Sequence, residues 1–440
     1  MKSFEVIRNK SFWLFDFLNG SPIRQAYDDI KYILENFSSH EAINRRDTYL
    51  SNLLCHAVNT TPFYKRHRRL SMLKNFQVIN KNIIRENFND FISDDYEKAK
   101  LYKVTTSGST GTPFMVYQDK NKRRRHIADN IYFNELANTY IGSKLYYFRI
   151  WNKVNIKSSL VCWLQNLSMQ DAGVLSDSRL NAVIRLIIKD TSTKSLLAYA
   201  STFEAIGNHL SRHYTKPVPA RINAVISMSE TLPDYIKKQL TYLLSCPVIS
   251  RYSNMENGFL AQQCIADNEE YHINYASFFI EVLDLEKDEA VSDGEMGRIV
   301  VTDLFNFAMP LIRYDTGDIG VMDNTSNCLL KTPVFRKIEG RRVDFISDTK
   351  DNLLSPHVIT NTMWKYSEIK QFQFVQIDAS NYIIKLNYEG NNYARESELI
   401  ADLKNYLGPD AIISVEYFSE IPMLASGKRK KIINLKNSNI

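Results

Sequence analysis

Cysteine is scarce, with five residues in 440 and no CxxC pair among them. Cys55, Cys162, Cys246, Cys264 and Cys328 leave one over however they are paired. That excludes a disulfide framework and reads as a reduced, cytoplasmic chain. Long apolar runs are also lacking. No stretch reaches the roughly 18–20 apolar residues that cross a bilayer, which excludes a transmembrane segment. The opening MKSFEVIRNKSFWLFDF breaks its apolar residues with charges, so it does not form a signal core and reads as a helix packed on the body, the alternative being contact with a membrane surface or a partner. Glycine (15) and proline (12) are too few for a fibrous or low-complexity chain. An excess of one charge is missing too. A net charge of +6 suits small anionic substrates as readily as nucleic acid, and the basic runs are short and far apart, which speaks against a nucleic-acid face.

What is present is enough apolar (44%) and aromatic (12%) character for a large core. Residues 1–100 read mainly as helices, from IRQAYDDIKYILENF and RRDTYLSNLLCHAVNT, whose apolar residues recur every three or four positions. Residues 101–341 alternate short buried strands (KLYYFRIW, ARINAVISMS, CPVISRYS) with amphipathic stretches such as TLPDYIKKQLTYLLS, the order that builds a parallel α/β layer. SFFIEVLDLEKDEAVSDGEMGRIVVTDL predicts a hairpin. Residues 342–440 carry FQFVQID, NYIIKLNYE, the helix RESELIADLKNYLG and IISVEYF, a compact α+β unit, with the boundary near Arg341 to Asp344. The fold class is α/β: a large domain of sheets flanked by helices, and a small mobile α+β C-terminal domain.

The densest local signal is TTSGSTGTP, Thr105 to Pro113, following a strand-like run. Backbone N–H groups and hydroxyls in such a loop can wrap phosphate oxygens, and glycine permits close approach. No lysine follows Gly111, so this is not a Walker A loop. On texture alone a plain turn is the commoner reading. Its company changes that: SETL, YSNMENG, RYDTGD, EGRRVD and SGK follow in order.

This ordered set, from about Asn59 to Lys431, resembles the adenylate-forming superfamily of acyl-CoA synthetases, luciferases and adenylation domains. Within it the chain is most similar to the phenylacetate-CoA ligase family, capsular polysaccharide branch. The resemblance implies activation of a carboxylic acid by ATP to an acyl-adenylate, with release of pyrophosphate and transfer of the acyl group to coenzyme A. Thr105, Thr106, Ser107, Gly108, Ser109, Thr110 and Gly111 would hold the β- and γ-phosphates. Glu256 would ligate Mg²⁺, Tyr252 would lie against the adenine, and Ser229 and Glu230 would line the base pocket. Asp318 would accept from the ribose hydroxyls. Arg341 would reach the ribose or phosphate from the domain junction, and Lys428 would bridge the attacking carboxylate and the α-phosphate on a C-terminal domain pivoting at Asp344. Arg313 and Asp315 are expected to pair within their own loop. The run KNKRRRHIAD from Lys120 is expected to be the solvated start of a helix, the alternative being attraction of CoA phosphates.

Two departures stand out: Ser253 and Met255 replace the family's glycine and threonine. Of a Cys–His–Cys-x-Cys set like a structural zinc site, Cys264, His272 and Cys328 remain, with Ser326 at the fourth position. Three ligands make a poor closed site, so zinc is not expected. Stretches 148–152, 198–203 and 223–229 are candidates for the acid pocket, without a readable specificity. Transfer to an amine, for example on an amino sugar, stays open as the acceptor, a basic-surface binder is the competing class, and a homodimer stays open as the oligomeric state.

Overall fold

The computed structural model describes residues 3–65, 72–106, 114–151, 155–173, 175–265, 269–326, 328, 330–341, 346–354, 356–363, 365–366, 368–388, 390, 392–422 and 430–436. It divides into two compact units, 1–316 with 320–338, and 317–319 with 339–440.

The first unit opens with helices α1 (Ser3–Leu18), α2 (Pro22–Glu35), α3 (His40–Thr60), α4 (Pro62–Lys65) and α5 (Lys81–Glu86). Each start has a local cause. Ser39 caps α3 by accepting from the Ala42 N–H, and Asn80 caps α5 by accepting from the N–H groups of Asn82 and Ile83. A two-stranded ribbon, β1 (Tyr102–Thr106) and β2 (Phe114–Gln118), precedes α6 (Lys120–Leu136). Then come β3 (Lys144–Arg149), α7 (Ser159–Gln165), β4 (Leu167–Asp171), α8 (Asp177–Lys189), β5 (Lys194–Tyr199), α9 (Ala200–His213), β6 (Ile222–Met228), α10 (Asp234–Leu244) and β7 (Val248–Asn254). Strands β4, β3, β5, β6 and β7 pair in parallel in that order. Burial on both faces explains their near-continuous apolar runs, and β5 is buried at every residue.

From β8 (Gly258–Gln263) the sheet turns antiparallel. It continues through β9 (Tyr271–Ile273), β10 (Phe278–Leu283), β11 (Met296–Asp303), β12 (Tyr314–Asp323) and β13 (Val334–Arg341). Among the described residues the order is β10-β11-β12-β13-β9-β8-β7-β6-β5-β3-β4. β10 and β11 are the expected hairpin, paired from Phe278↔Asp303 to Leu283↔Arg298.

The second unit holds β14 (Ile346–Ser347), β15 (Leu353–Leu354), α11 (Pro356–Met363), β16 (Gln371–Gln376), β17 (Asn381–Asn387), α12 (Glu396–Leu407), β18 (Ile412–Tyr417) and β19 (Ile432–Asn434). Its sheet runs β18-β17-β16-β19. Leu399, Leu403 and Leu407, at helical spacing on α12, pack on Phe374, Ile384 and Leu386.

Two expectations need correction. The basic run at Lys120 does start a helix, α6, but is not wholly solvated. Lys122 is fully buried in an ion pair with Asp303 at 2.6 Å, and Arg125 reaches Asp29 at 2.6 Å and the carbonyl of Ala276. The helix faces the sheet on this side, so these cations serve the core. The N-terminal helix packs on the body through only one face. Phe12 and Trp13 join the core beside Tyr27, while Phe4, Ile7, Leu14, Phe15, Phe17 and Leu18 stay exposed.

Candidate active site

In open α/β sheets ligands bind beyond the carboxyl ends of parallel strands, and Ser229, Glu230 and Tyr252 stand at the ends of β6 and β7. Ser229 follows β6 with φ 68°, a left-handed conformation costly for serine, of the kind that collects at functional sites. Glu230 accepts a hydrogen bond from the Ser201 N–H at 3.0 Å, capping α9, which has no capping side chain of its own. The next parallel strand, β7, ends in Tyr252, Ser253 and Asn254. Tyr252 donates to Thr316 Oγ1 at 3.3 Å and meets Phe335 edge-on. Of the acid-pocket stretches, the described residues 148–151, 198–203 and 223–229 include the carboxyl ends of the parallel strands β3, β5 and β6.

Glu256 sits in the turn from β7 to β8 and is 2% exposed. Asn254 Oδ1 accepts from the Asn257 N–H at 2.8 Å and folds the turn. Gly258 closes it at φ 106°, where a Cβ would come within 2.5 Å of His126 Nδ1, so glycine is required twice over. Burial pushes the His126 imidazole down to about 3, helped by the charges of Lys122, Arg123 and Arg251.

Glu256 Oε1 accepts from the Tyr314 hydroxyl at 2.7 Å and pairs with Lys81 Nζ at 2.9 Å. Both contacts fall on Oε1, and among the described residues no hydrogen bond is made to Oε2. Lys81, on α5, also lies over the ring of Phe114 at 5.3 Å, with Arg85 one turn on at 5.8 Å. Phe114 opens β2 directly after the Ser/Thr/Gly loop, its ring parallel to that of Tyr314 at 6.4 Å. Sequence reasoning missed Lys81, Arg85 and Tyr314. The two cations stand outside any motif, in a short helix, and Tyr314 lies inside RYDTGD as an ordinary strand aromatic.

Thr105 and Thr106 end β1, Asp318 is half-buried on β12 beside Gly317 (φ 79°), and Arg341 closes β13. Ser107, Gly108, Ser109, Thr110, Gly111, Asp344 and Lys428, with the side chains of Thr106 and Arg341, lie outside the described residues. Arg313 and Asp315 do not pair within their loop. Arg313 forks onto Glu281 at 3.1 Å and donates to the carbonyl of Phe76, while Asp315 accepts from Arg298 at 3.0 Å. Arg313 stands just before β12 in a left-handed conformation (φ 50°), outside the strand register that orients Asp315.

Away from this edge, the donor atoms of Cys264, His272 and Cys328 lie within 4.8 Å of one another. They border a cavity of about 460 Å³. His272 Nδ1 meets Thr332 Oγ1 at 3.3 Å, and among the described residues its buried Nε2 has no hydrogen-bond partner. The Ser326 hydroxyl, at the fourth position, donates to Glu270 at 2.9 Å. The three are therefore a built cluster rather than scattered core groups.

The family described as the CapK C-terminal domain matches residues 346–435. The chain is 26% identical to protein CapK of Staphylococcus aureus over 81% of this chain and 79% of that one. It is 25% identical to a phenylacetate-coenzyme A ligase of Aromatoleum evansii, over 40% of this chain and 42% of that one. Among solved structures, 2-hydroxyisobutyryl-CoA ligase in the postadenylation state, in complex with R3-HIB-AMP, superposes with a TM-score of 0.70 at 15% identity, covering 89% of this chain and 90% of that one. The chain is thus homologous to CapK and to phenylacetate-coenzyme A ligases, and shares the fold of the adenylate-forming CoA ligases.

Proposed function

We propose that the chain is an AMP-forming acid–CoA ligase, activating a carboxylic acid with ATP and passing the acyl group to coenzyme A. The observation that carries this is Glu256: buried, its Oε1 accepting from Tyr314 and paired with Lys81, in the turn after the strand that carries Tyr252 and next to the strand that leads to Ser229 and Glu230. The donor set suits Mg²⁺, a hard cation that takes carboxylate oxygens; bound with ATP it would offset charge on the phosphates. Thr105 to Gly111 would supply hydroxyl and backbone donors to the phosphates, Asp318 would accept from the ribose, and Arg341 would reach ribose or phosphate. Lys428 would neutralise the attacking carboxylate and the α-phosphate as they approach. It lies in the unit 342–440, which we expect to move between the half-reactions.

For the Cys264–His272–Cys328 cluster, three donors fit part of a tetrahedral set, and the Ser326 hydroxyl is committed to Glu270. We propose that no closed structural zinc is held there. Elemental analysis finding one tightly bound zinc per chain would refute this. The kinship with CapK supports a role in capsular or surface polysaccharide biosynthesis, and the five unbridged cysteines support a cytoplasmic setting. Among the described residues no helix is long and apolar enough to cross a membrane.

The test is a panel of carboxylic acids with ATP and Mg²⁺, scored by pyrophosphate release with and without coenzyme A. Acid-dependent release completed to a thioester supports the ligase. Release that becomes productive only with an amine moves the acceptor to amide formation, and no release with any acid removes the enzyme reading.

A further inference from the structure

Helix α1 is turned inside out. At 3.6 residues per turn Phe4, Ile7, Leu14, Phe15 and Leu18 fall on one stripe, and all face solvent, Phe15 with 71% of its surface exposed. The two acids of the helix point the other way. Glu5 and Asp16 are 6% and 3% exposed, and Asp16 accepts from the N–H groups of Ile23 and Arg24, capping α2. The seat is specific: a Cβ at Gly142 (φ 90°) would come within 2.5 Å of the Glu5 carbonyl oxygen, and Asn9 donates to the Ile141 carbonyl. This orientation is therefore fixed by the body of the first unit.

Alongside lies α7, which buries none of its residues and shows Leu160, Trp163 and Leu164 to solvent on one face. Arg8 joins the two helices. Its guanidinium lies 5.5 Å over the Trp163 ring and donates to the Trp163 carbonyl at 3.2 Å. The result is an exposed apolar patch across two helices, carrying Arg8 and Lys10 and no exposed carboxylate from either helix.

We propose that this face docks on a lipid bilayer surface rich in anionic headgroups. An interfacial helix of this kind buries its apolar stripe at the acyl boundary while flanking cations meet lipid phosphates, and a tryptophan sits at headgroup depth. The charge pattern favours this occupant over a second copy. A two-fold contact through the face would set Arg8 and Lys10 against their own images, with no carboxylate from either helix to meet them. The inference is independent of the reaction proposed above.

The test sediments the whole chain with vesicles of phosphatidylcholine alone and of phosphatidylcholine mixed with phosphatidylglycerol. The expected result is binding to the mixed vesicles that weakens with salt. Phe15→Ser combined with Leu18→Ser should lower the partition about tenfold or more, and Lys10→Gln about fivefold. Both variants should keep the parent circular dichroism, because the altered side chains already lie in water. Equal binding to neutral vesicles, binding retained by the double variant, or no binding to either vesicle overturns the proposal. So does a concentration-dependent doubling of mass in light scattering that the double variant abolishes without any vesicle binding, which would make the occupant a second copy.

Discussion

Replacing Lys81 by methionine separates two roles for Glu256 that the geometry places on one residue. Lys81 Nζ lies 2.9 Å from a carboxylate whose side chain is only 3% exposed. At an effective dielectric near 20 the gross attraction is about 6 kcal/mol, most of it offset by desolvation. Breaking a fully buried pair costs about 3–5 kcal/mol. Lys81 keeps 25% of its side-chain surface, so a discounted cost of about 2 kcal/mol is expected for Lys81→Met. In a unit this large that lowers Tm by roughly 4 °C. Glu256→Gln, with Tyr314 still able to donate, should cost about 1 kcal/mol, and the double variant should recover most of the loss. The functional arm runs differently. If Glu256 is the metal ligand, Glu256→Gln lowers pyrophosphate release about 100-fold or more. Lys81→Met, by removing the cation that competes for Oε1, lowers the Mg²⁺ concentration needed for half-maximal release. Differential scanning calorimetry and a Mg²⁺ titration of pyrophosphate release read the two arms. Strong thermal coupling between the sites, with an unchanged rate and Mg²⁺ dependence in Glu256→Gln, would refute the metal role and leave an ion pair that merely holds α5 to the turn.

Lys428→Ala should lose about 10²–10³ in rate from acid and ATP, yet convert a synthetic acyl-adenylate with coenzyme A at near the parent rate; equal loss in both half-reactions, followed by stopped-flow, would make the lysine structural. Lys122→Met strands the buried Asp303, whose carboxyl burial already pushes up, and should destabilise by about 3 kcal/mol in urea denaturation; pairing it with Asp303→Leu should restore most of that. His126 stays neutral in the fold down to about pH 3, against an ordinary 6.5, so the unfolded chain binds the extra proton between those values. Its contribution is whole above about pH 6.5 and lost as the pH falls towards 3, with a slope of at most about 1.4 kcal/mol per pH unit. His126→Gln should flatten the slope in urea midpoints measured across this window.

What could be read from the sequence was whatever a short window specifies. The parallel strands β3, β6 and β7 appear as apolar runs because both sheet faces are covered, and the hairpin of β10 and β11 is announced by a charged turn between β-branched stretches. Glu256 was found through the resemblance of YSNMENG to a family motif, again a short window, whose turn Asn254 and Gly258 build. Its electrostatic partner was out of reach. Lys81 stands 175 positions away in a six-residue helix whose spacing carries no functional mark, and the bridge of Ile79, just before α5, to Tyr314 helps bring it to the carboxylate.

The misread basic run has the same origin. Lys122 and Arg125 are three apart in a helix that looks polar all round, and a charge count cannot reveal that one face meets Asp303 and the other partners of the core. Helix α1 is the converse case. Its apolar spacing is an ordinary amphipathic pattern, which by itself says a face will be covered but not by what. In this fold the usual inward pull of the apolar stripe is outweighed by two buried acids, one of them capping the neighbouring helix, and by a seat that glycine 142 alone permits. A pattern that normally marks a core therefore marks a surface, and the flanking cations Arg8 and Lys10 bear on what that surface meets.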